Sequence, residues 1–216
     1  MLALFDLDGT VLDTSAAHAY AAGAALRGRG LPFDPAFVRR FLVAQDGAAA
    51  GLPEALFLSV WQDMQPLYAE ALPSVRPFPG APETLHALAK AGHRLGVVTS
   101  KQRWAVELEL RQTRLAEAFE VVVCRDDTTQ HKPNPQPLLL AQARLGLGGG
   151  AYLGDQDTDV LAARAAGMLP IGAGWGWSGG DALRAAGALL VLEEFPALRA
   201  ALERLSDTPS GLEAAE

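Results

Sequence analysis

Asp6 and Asp8 stand two residues apart in the string Phe5-Asp6-Leu7-Asp8-Gly9-Thr10-Val11-Leu12-Asp13. In an extended chain a period of two turns both carboxylates to one side, and Gly9 permits a sharp backbone turn beneath them. Facing carboxylates repel unless a divalent cation or a shared proton neutralises one of them, and either makes the pair chemically useful. A second acidic cluster, Gly154-Asp155-Gln156-Asp157-Thr158-Asp159, lies much later in the chain. Asp155, directly after Gly154, is its better metal candidate, whereas Asp157 or Thr158 suits a helix N-cap.

Acids alone do not recognise phosphate, and two further segments supply donors. Thr99-Ser100-Lys101 follows an apolar run, so its hydroxyls and the next backbone amides are placed to meet a phosphate oxygen as a helix begins. His131-Lys132-Pro133-Asn134-Pro135 presents a lysine before a stiff turn, with Asn134 expected to cap a helix starting at Pro135. Lysine is rare here: Lys90, Lys101 and Lys132 are the whole set. Lys132 reads as functional, Lys90 and Lys101 as solvated.

Short apolar runs, each followed by turn residues and a helical pattern, are what must hold these groups together. Leu2–Phe5, Leu95–Val98, Val121–Cys124, Ala151–Leu153 and Leu169–Ile171, with Ala188–Leu192 as a sixth, read as parallel strands joined by crossover helices. The expected class is α/β, a doubly wound, Rossmann-like parallel sheet, and in such sheets ligands bind outside the carboxyl ends of the strands. That edge is where both acidic clusters, Thr99 and Ser100 fall.

One interval breaks the rhythm. From about Ser15 to Val75 the chain reads as helices, over Ala16–Leu26, Ala36–Val43 and Leu52–Leu72, and Pro73, Pro77, Pro79 and Pro82 stiffen the return. The expected division is a core of 1–14 and 80–205, an all-helical cap at 15–79 with hinges near Asp13–Ser15 and Pro77–Pro82, and a flexible tail at 206–216. The glycines at 146 and 148–150 read as a helix stop and connector without phosphate-loop spacing.

Composition narrows the partners. With 216 residues, half of them hydrophobic, the chain buries a sizeable core, and its net charge of -7 argues against nucleic acid as a partner. A small phosphorylated metabolite, met by a local metal ion and a few donors, is compatible with that charge. The single cysteine, Cys124, reads as a buried hydrophobe and not as a disulfide or zinc ligand. No apolar run reaches the ~18 residues of a membrane span. The start on Leu2-Ala3-Leu4-Phe5, without a basic leader, points to the cytoplasm. Monomer and homodimer are both open.

In order and over nearly its whole length, the chain resembles the haloacid dehalogenase-like hydrolases. Asp6-x-Asp8-Gly9-Thr10, Thr99 after a later strand, Lys132 before a proline, and Gly154-Asp155 with Asp159 are similar to that family's four motifs. The continuation from Asp159 to Gly167 and the insertion after the first motif resemble its phosphoglycolate phosphatase-like branch with a small helical cap. The resemblance implies that Asp6 attacks phosphorus and that Asp8 protonates the leaving oxygen and then activates water. It implies magnesium held by Asp6, the Asp8 backbone carbonyl and Asp155. Asp159 and Thr10 would orient groups from behind, while Thr99, Ser100 and Lys132 would neutralise the phosphoryl group. An acid at position 8 separates the chain from the dehalogenases proper. The cap would open for exchange and close during transfer.

Departures and rivals stand beside the match. Gln156 and Gln136 replace residues common in relatives without removing a catalytic group, and the cap segment Arg39–Gln45 spells no substrate signature. A sugar phosphomutase of the β-phosphoglucomutase kind would use the same core, and His18 resembles a position occupied by histidine in such relatives. The missing Gly-x-x-Arg cap signature favours hydrolysis. A non-catalytic regulatory protein that binds phosphometabolites is a third reading, to which no residue lends support. Trp175 and Trp177, in a glycine-rich loop near the same edge, read first as packing residues.

Overall fold

The computed structural model describes residues 1–44 and 46–207; Gln45 of the cap segment, and positions 208–216 of the expected tail, lie outside the described residues. In chain order the elements are β1 (Leu2–Phe5), β2 (Leu12–Asp13), α1 (Ser15–Gly28), α2 (Pro35–Val43), α3 (Gly47–Ala50), α4 (Glu54–Ala71), β3 (Arg76–Pro77), α5 (Ala81–Lys90), β4 (Arg94–Val98) and α6 (Arg103–Gln112). They continue with β5 (Val121–Val123), α7 (Gln136–Leu145), β6 (Ala151–Gly154), α8 (Asp157–Ala165), β7 (Leu169–Ala173), α9 (Gly180–Ala185), β8 (Leu190–Leu192) and α10 (Ala197–Asp207). Ser206 therefore belongs to the last helix and does not begin the tail.

Contacts divide the chain into one unit of Met1–Leu12 with Pro77 onward, and a second of Asp13–Arg76. Both crossings fall slightly before the expected 14 and 80, at the short strands β2 and β3. Two-residue strands carry no periodic signal, so these were unreadable as elements.

The first unit is built on a six-stranded sheet in the order β5-β4-β1-β6-β7-β8. Every neighbouring pair is parallel, with Phe5 opposite Val97 on one side and Leu153 on the other. All four residues of β1 are buried, as a central strand between helix layers requires. On one face Leu2 and Leu4 join Leu138 and Ala141 of α7 and Ala162 and Ala163 of α8. On the other, Phe5 meets Phe119 and Phe195 with ring centroids 6.0 and 6.2 Å away. Fully burying a side chain such as Leu138 contributes about 2 kcal/mol.

From β1 the chain moves outward through β4 and β5, then crosses back to build β6, β7 and β8 on the other flank. The connections diverge on either side of β1. That switch point opens a crevice at the carboxyl ends of β1, β4 and β6.

The second unit is helical. Ala17, Ala21, Ala22 and Ala25 give α1 a small buried face, and the chain is drawn together by His18 on Tyr68 at 4.6 Å and by an Arg29–Asp63 ion pair at 2.6 Å. Phe41 stacks on Trp61 at 5.4 Å and packs against Phe57 at 5.2 Å. Asp34 accepts hydrogen bonds from the Ala36 and Phe37 amides, and Pro35 pre-forms the first turn of α2. Among the described residues of the whole chain, no helix is long and apolar enough to cross a membrane.

Candidate active site

Asp6 directly follows β1, its amide bonded to the Leu153 carbonyl at 2.8 Å, so sheet pairing extends to the first carboxylate. Leu7 then accepts bonds from the amides of Thr10, Val11 and Leu12, closing a tight turn around Asp8. Gly9 sits in that turn at φ +71°, and a Cβ there would run into Asp155 and the Trp177 indole. Only glycine meets both demands. Asp6 is buried, whereas the Asp8 side chain keeps 21% exposure, so the pair occupies two different environments.

Lys132 organises the buried side of the site. Its Nζ donates to Asp6 Oδ1 at 2.9 Å, Asp159 Oδ1 at 2.6 Å and the Tyr152 hydroxyl at 3.0 Å, which employs all three ammonium protons. Tyr152 passes its own proton to the Val98 carbonyl at 2.8 Å. Burial pulls Lys132 toward neutrality, but Asp159 and Asp6 outweigh it and hold its pKa well above the ordinary lysine value. The local helix differs from expectation by one residue. Helix α7 starts at Gln136, whose amide Asn134 Oδ1 accepts at 2.9 Å, so Pro135 is the cap and not the first helical residue.

Asp155 follows β6 and is held at both oxygens: Thr10 Oγ1 donates to Oδ1 at 3.2 Å, and the Trp177 amide donates to Oδ2 at 2.7 Å. Asp159 is equally engaged, because its Oδ2 accepts from the Asp155 and Gln156 amides at 3.1 and 3.0 Å. Gln156, not Asp157 or Thr158, is the N-cap of α8, and Asp159 completes a capping box. Trp175 Nε1 donates to the Thr10 carbonyl at 3.1 Å, while its ring lies 5.7 Å from Phe195 and 6.1 Å from Phe78. The two tryptophans thus pin the loop beneath Asp155.

Thr99 directly follows β4 in a buried position, its amide bonded to the Val123 carbonyl and its Oγ1 accepting from the Lys101 amide, with Ser100 exposed beside it. Lys101 corrects the solvated reading. Its side chain is 9% exposed, and Nζ donates to Asp8 Oδ1 at 2.6 Å and to Glu109 Oε1 of α6 at 2.5 Å. Burial pulls its pKa down, but Asp8 and Glu109 raise it further than burial lowers it. Glu109, Tyr152 and the Trp177 amide are further participants missed from sequence. The scarcity of lysine that singled out Lys132 applied equally to Lys101. A tyrosine in an otherwise aliphatic strand was the signal for Tyr152. Cys124 is buried as expected, and burial pushes its thiol up to about 11, well away from reactivity.

The acids exceed the cations available to them. Burial first, helped by Asp159 and Asp8 and opposed by Lys132, raises Asp6 to about 7. Burial, with Asp159 and Asp6, raises Asp155 well above the usual carboxylate range. Carboxylate oxygens of Asp6, Asp155 and Asp159 lie within 4.8 Å of one another. An all-oxygen donor set that repels itself in this way fits a hard divalent cation. Asp6 and Asp155 are the better candidates to hold it, since Asp159 takes the shorter of the two Lys132 ion pairs, 2.6 against 2.9 Å to Asp6, whereas the donors on Asp155, Thr10 Oγ1 and the Trp177 amide, carry no charge.

Comparison with known proteins gives the family. Residues 3–173 match the family described as haloacid dehalogenase-like hydrolase. A phosphoglycolate phosphatase of Xanthomonas campestris pv. campestris (strain 8004) is 34% identical over 193 residues, 82% of this chain and 85% of that protein. The N-acetylmuramic acid 6-phosphate phosphatase of Pseudomonas aeruginosa is 36% identical over 81% of each. A crystal structure of a predicted phosphoglycolate phosphatase from Haemophilus somnus superposes with a TM-score of 0.82 at 23% identity, covering 93% of this chain and 96% of that one.

Proposed function

The chain belongs to the haloacid dehalogenase-like hydrolases and is an enzyme of their phosphatase kind, and we propose that it hydrolyses a small-molecule phosphate monoester, phosphoglycolate-like or a sugar phosphate, through a phosphorylated Asp6. The observation that carries this reading is the pairing of a buried, lysine-tied Asp6 with a part-exposed Asp8 two residues on. Those two environments support a nucleophile's role for Asp6 and a proton-exchanging role for Asp8.

In the first step an Asp6 oxygen bonds to phosphorus while the ester P–O bond breaks, and Asp8 gives its proton to the leaving alkoxide. In the second, water attacks the aspartyl-phosphate, Asp8 takes a proton from it, and inorganic phosphate departs as Asp6 is regenerated. Thr99, the Ser100 region and Lys132 neutralise and position the phosphoryl group, since this transfer is catalysed mainly by placement and electrostatics. Asp6, the Asp8 backbone carbonyl and Asp155 would hold magnesium, whose charge stabilises the phosphoryl oxygens. Asp159 keeps Lys132 ionised and aimed at Asp6.

The test is phosphate release, with magnesium, from a panel of 2-phosphoglycolate, hexose phosphates, N-acetylmuramic acid 6-phosphate, pyrophosphate and nucleotides. Release from one monoester well above the rest is the expected result. Isomerisation of a hexose phosphate without net release would favour the mutase alternative, and inertness toward the whole panel would overturn hydrolysis.

Metal dependence has a signature in stability. A carboxyl whose folded pKa is raised, like Asp6, contributes stability below its unfolded value that is lost as pH climbs from about 4 toward 7. Bound magnesium offsets that loss by balancing the ionised form, so it is expected to raise Tm by about 5 °C at pH 8 and by clearly less at pH 5.5. Thermal melts with magnesium against EDTA at the two pH values check this; equal shifts would count against Asp6 as a ligand.

A further inference from the structure

We propose that Lys101, held from behind by Glu109, is a positioning residue for the Asp8 carboxylate. Lys101 leaves the end of β4 and reaches Asp8 Oδ1 at 2.6 Å, while Glu109, fully buried on α6, takes another of its protons at 2.5 Å. Ala105, Val106 and Leu110 are the buried apolar residues around Glu109 on that helix. Burying a lysine and a glutamate there forfeits hydration that a pair of packed aliphatic side chains would not need to replace. The ion pair is therefore a weak device for stability alone. Its third member is the one acid of the site that must change its protonation state in each half of the reaction.

An ammonium on one oxygen fixes the rotation of the Asp8 carboxyl relative to its turn. Glu109 in turn removes the freedom of a long, flexible lysine, as a supporting residue must if the first group is to be held in one geometry. The chain thus carries two lysines of matching logic. Lys132 is braced by Asp159 and serves Asp6; Lys101 is braced by Glu109 and serves Asp8.

This inference rests on the phosphatase reading, and the experiment separates the two. Steady-state kcat and KM are measured with p-nitrophenyl phosphate, whose leaving group departs without a proton, and with the best alkyl phosphate of the panel. Lys101→Met is expected to lower kcat on the alkyl ester about 100-fold, to lower it less than about 10-fold on the aryl ester, and to leave KM unchanged. Lys101→Arg should restore part of the loss. In an Asp8→Asn background, Lys101→Met should add almost nothing.

Because Lys101→Met leaves Glu109 without its main cation, Lys101→Met/Glu109→Leu, which removes both charges, is carried through the same comparison with thermal melts. Equal losses on both esters, a change confined to KM, or full additivity with Asp8→Asn would overturn the positioning role while leaving the hydrolase intact. A wild type that releases no phosphate from either ester would overturn the hydrolase reading, and this inference with it.

Discussion

Asp6→Asn is expected to abolish turnover, lowering kcat by at least about 10⁴-fold, because it removes the proposed nucleophile while keeping the shape of the side chain. The same substitution should not damage the fold. Asp6 is 4% exposed, and burial already raises it to about 7, so its ionised form is strained near neutral pH. An uncharged amide escapes that strain, and in EDTA at pH 8 the variant is expected to melt at or above the wild type. Magnesium should then stabilise it much less. Activity, Tm and the magnesium shift together distinguish a lost nucleophile from a misfolded site: a variant that lost activity and also melted well below the wild type would point to a structural role instead.

The parts of this molecule that sequence could reveal are those written in short-range pattern. β1, with four apolar residues, and the turn from Asp6 to Asp13 sit together in the chain, so the acid pair and its glycine were readable. The parallel strands were readable as separate apolar runs, but their order in the sheet, β5-β4-β1-β6-β7-β8, rests on pairings between distant segments and was not. Lys132 stood out through composition and its proline neighbours. What escaped is what depends on contacts between distant segments. Lys101 and Glu109 are eight residues apart, and the third partner, Asp8, is 93 residues from Lys101. No local pattern announces that triad, and a glutamate on a helix that also carries Glu107 and two arginines reads as solvated. The same holds for the Trp177 amide on Asp155 and for Gly176, where a Cβ would collide with that carboxylate. The loop from Gly174 reads as glycine-rich packing; in the folded chain it is the floor under Asp155.

The buried polar groups also show why the site should be unforgiving. Asp6, Asp155, Asp159, Tyr152 and Lys132 share one network in which each proton has a defined destination. Such a network holds its members in one geometry when complete and leaves uncompensated charge when a member is lost.

Lys132→Met is the substitution that exposes this most sharply. It removes the ammonium shared by Asp6 and Asp159, which lie 2.9 and 2.6 Å from it. Two effects are expected and they separate by measurement. Catalysis should fall by about 10³-fold, because a charge aimed at the transferring group is lost from a dry site. Stability should fall by about 3–5 kcal/mol, because Asp159 keeps its place at the start of α8 with no cation to balance it. Adding Asp159→Asn to Lys132→Met removes that uncompensated charge and is expected to restore most of the melting temperature while leaving kcat at the level of Lys132→Met. Denaturant unfolding and phosphate release on the two variants check both halves. If the double variant regained activity along with stability, Lys132 would be a structural brace for Asp159 and not a participant in phosphoryl transfer.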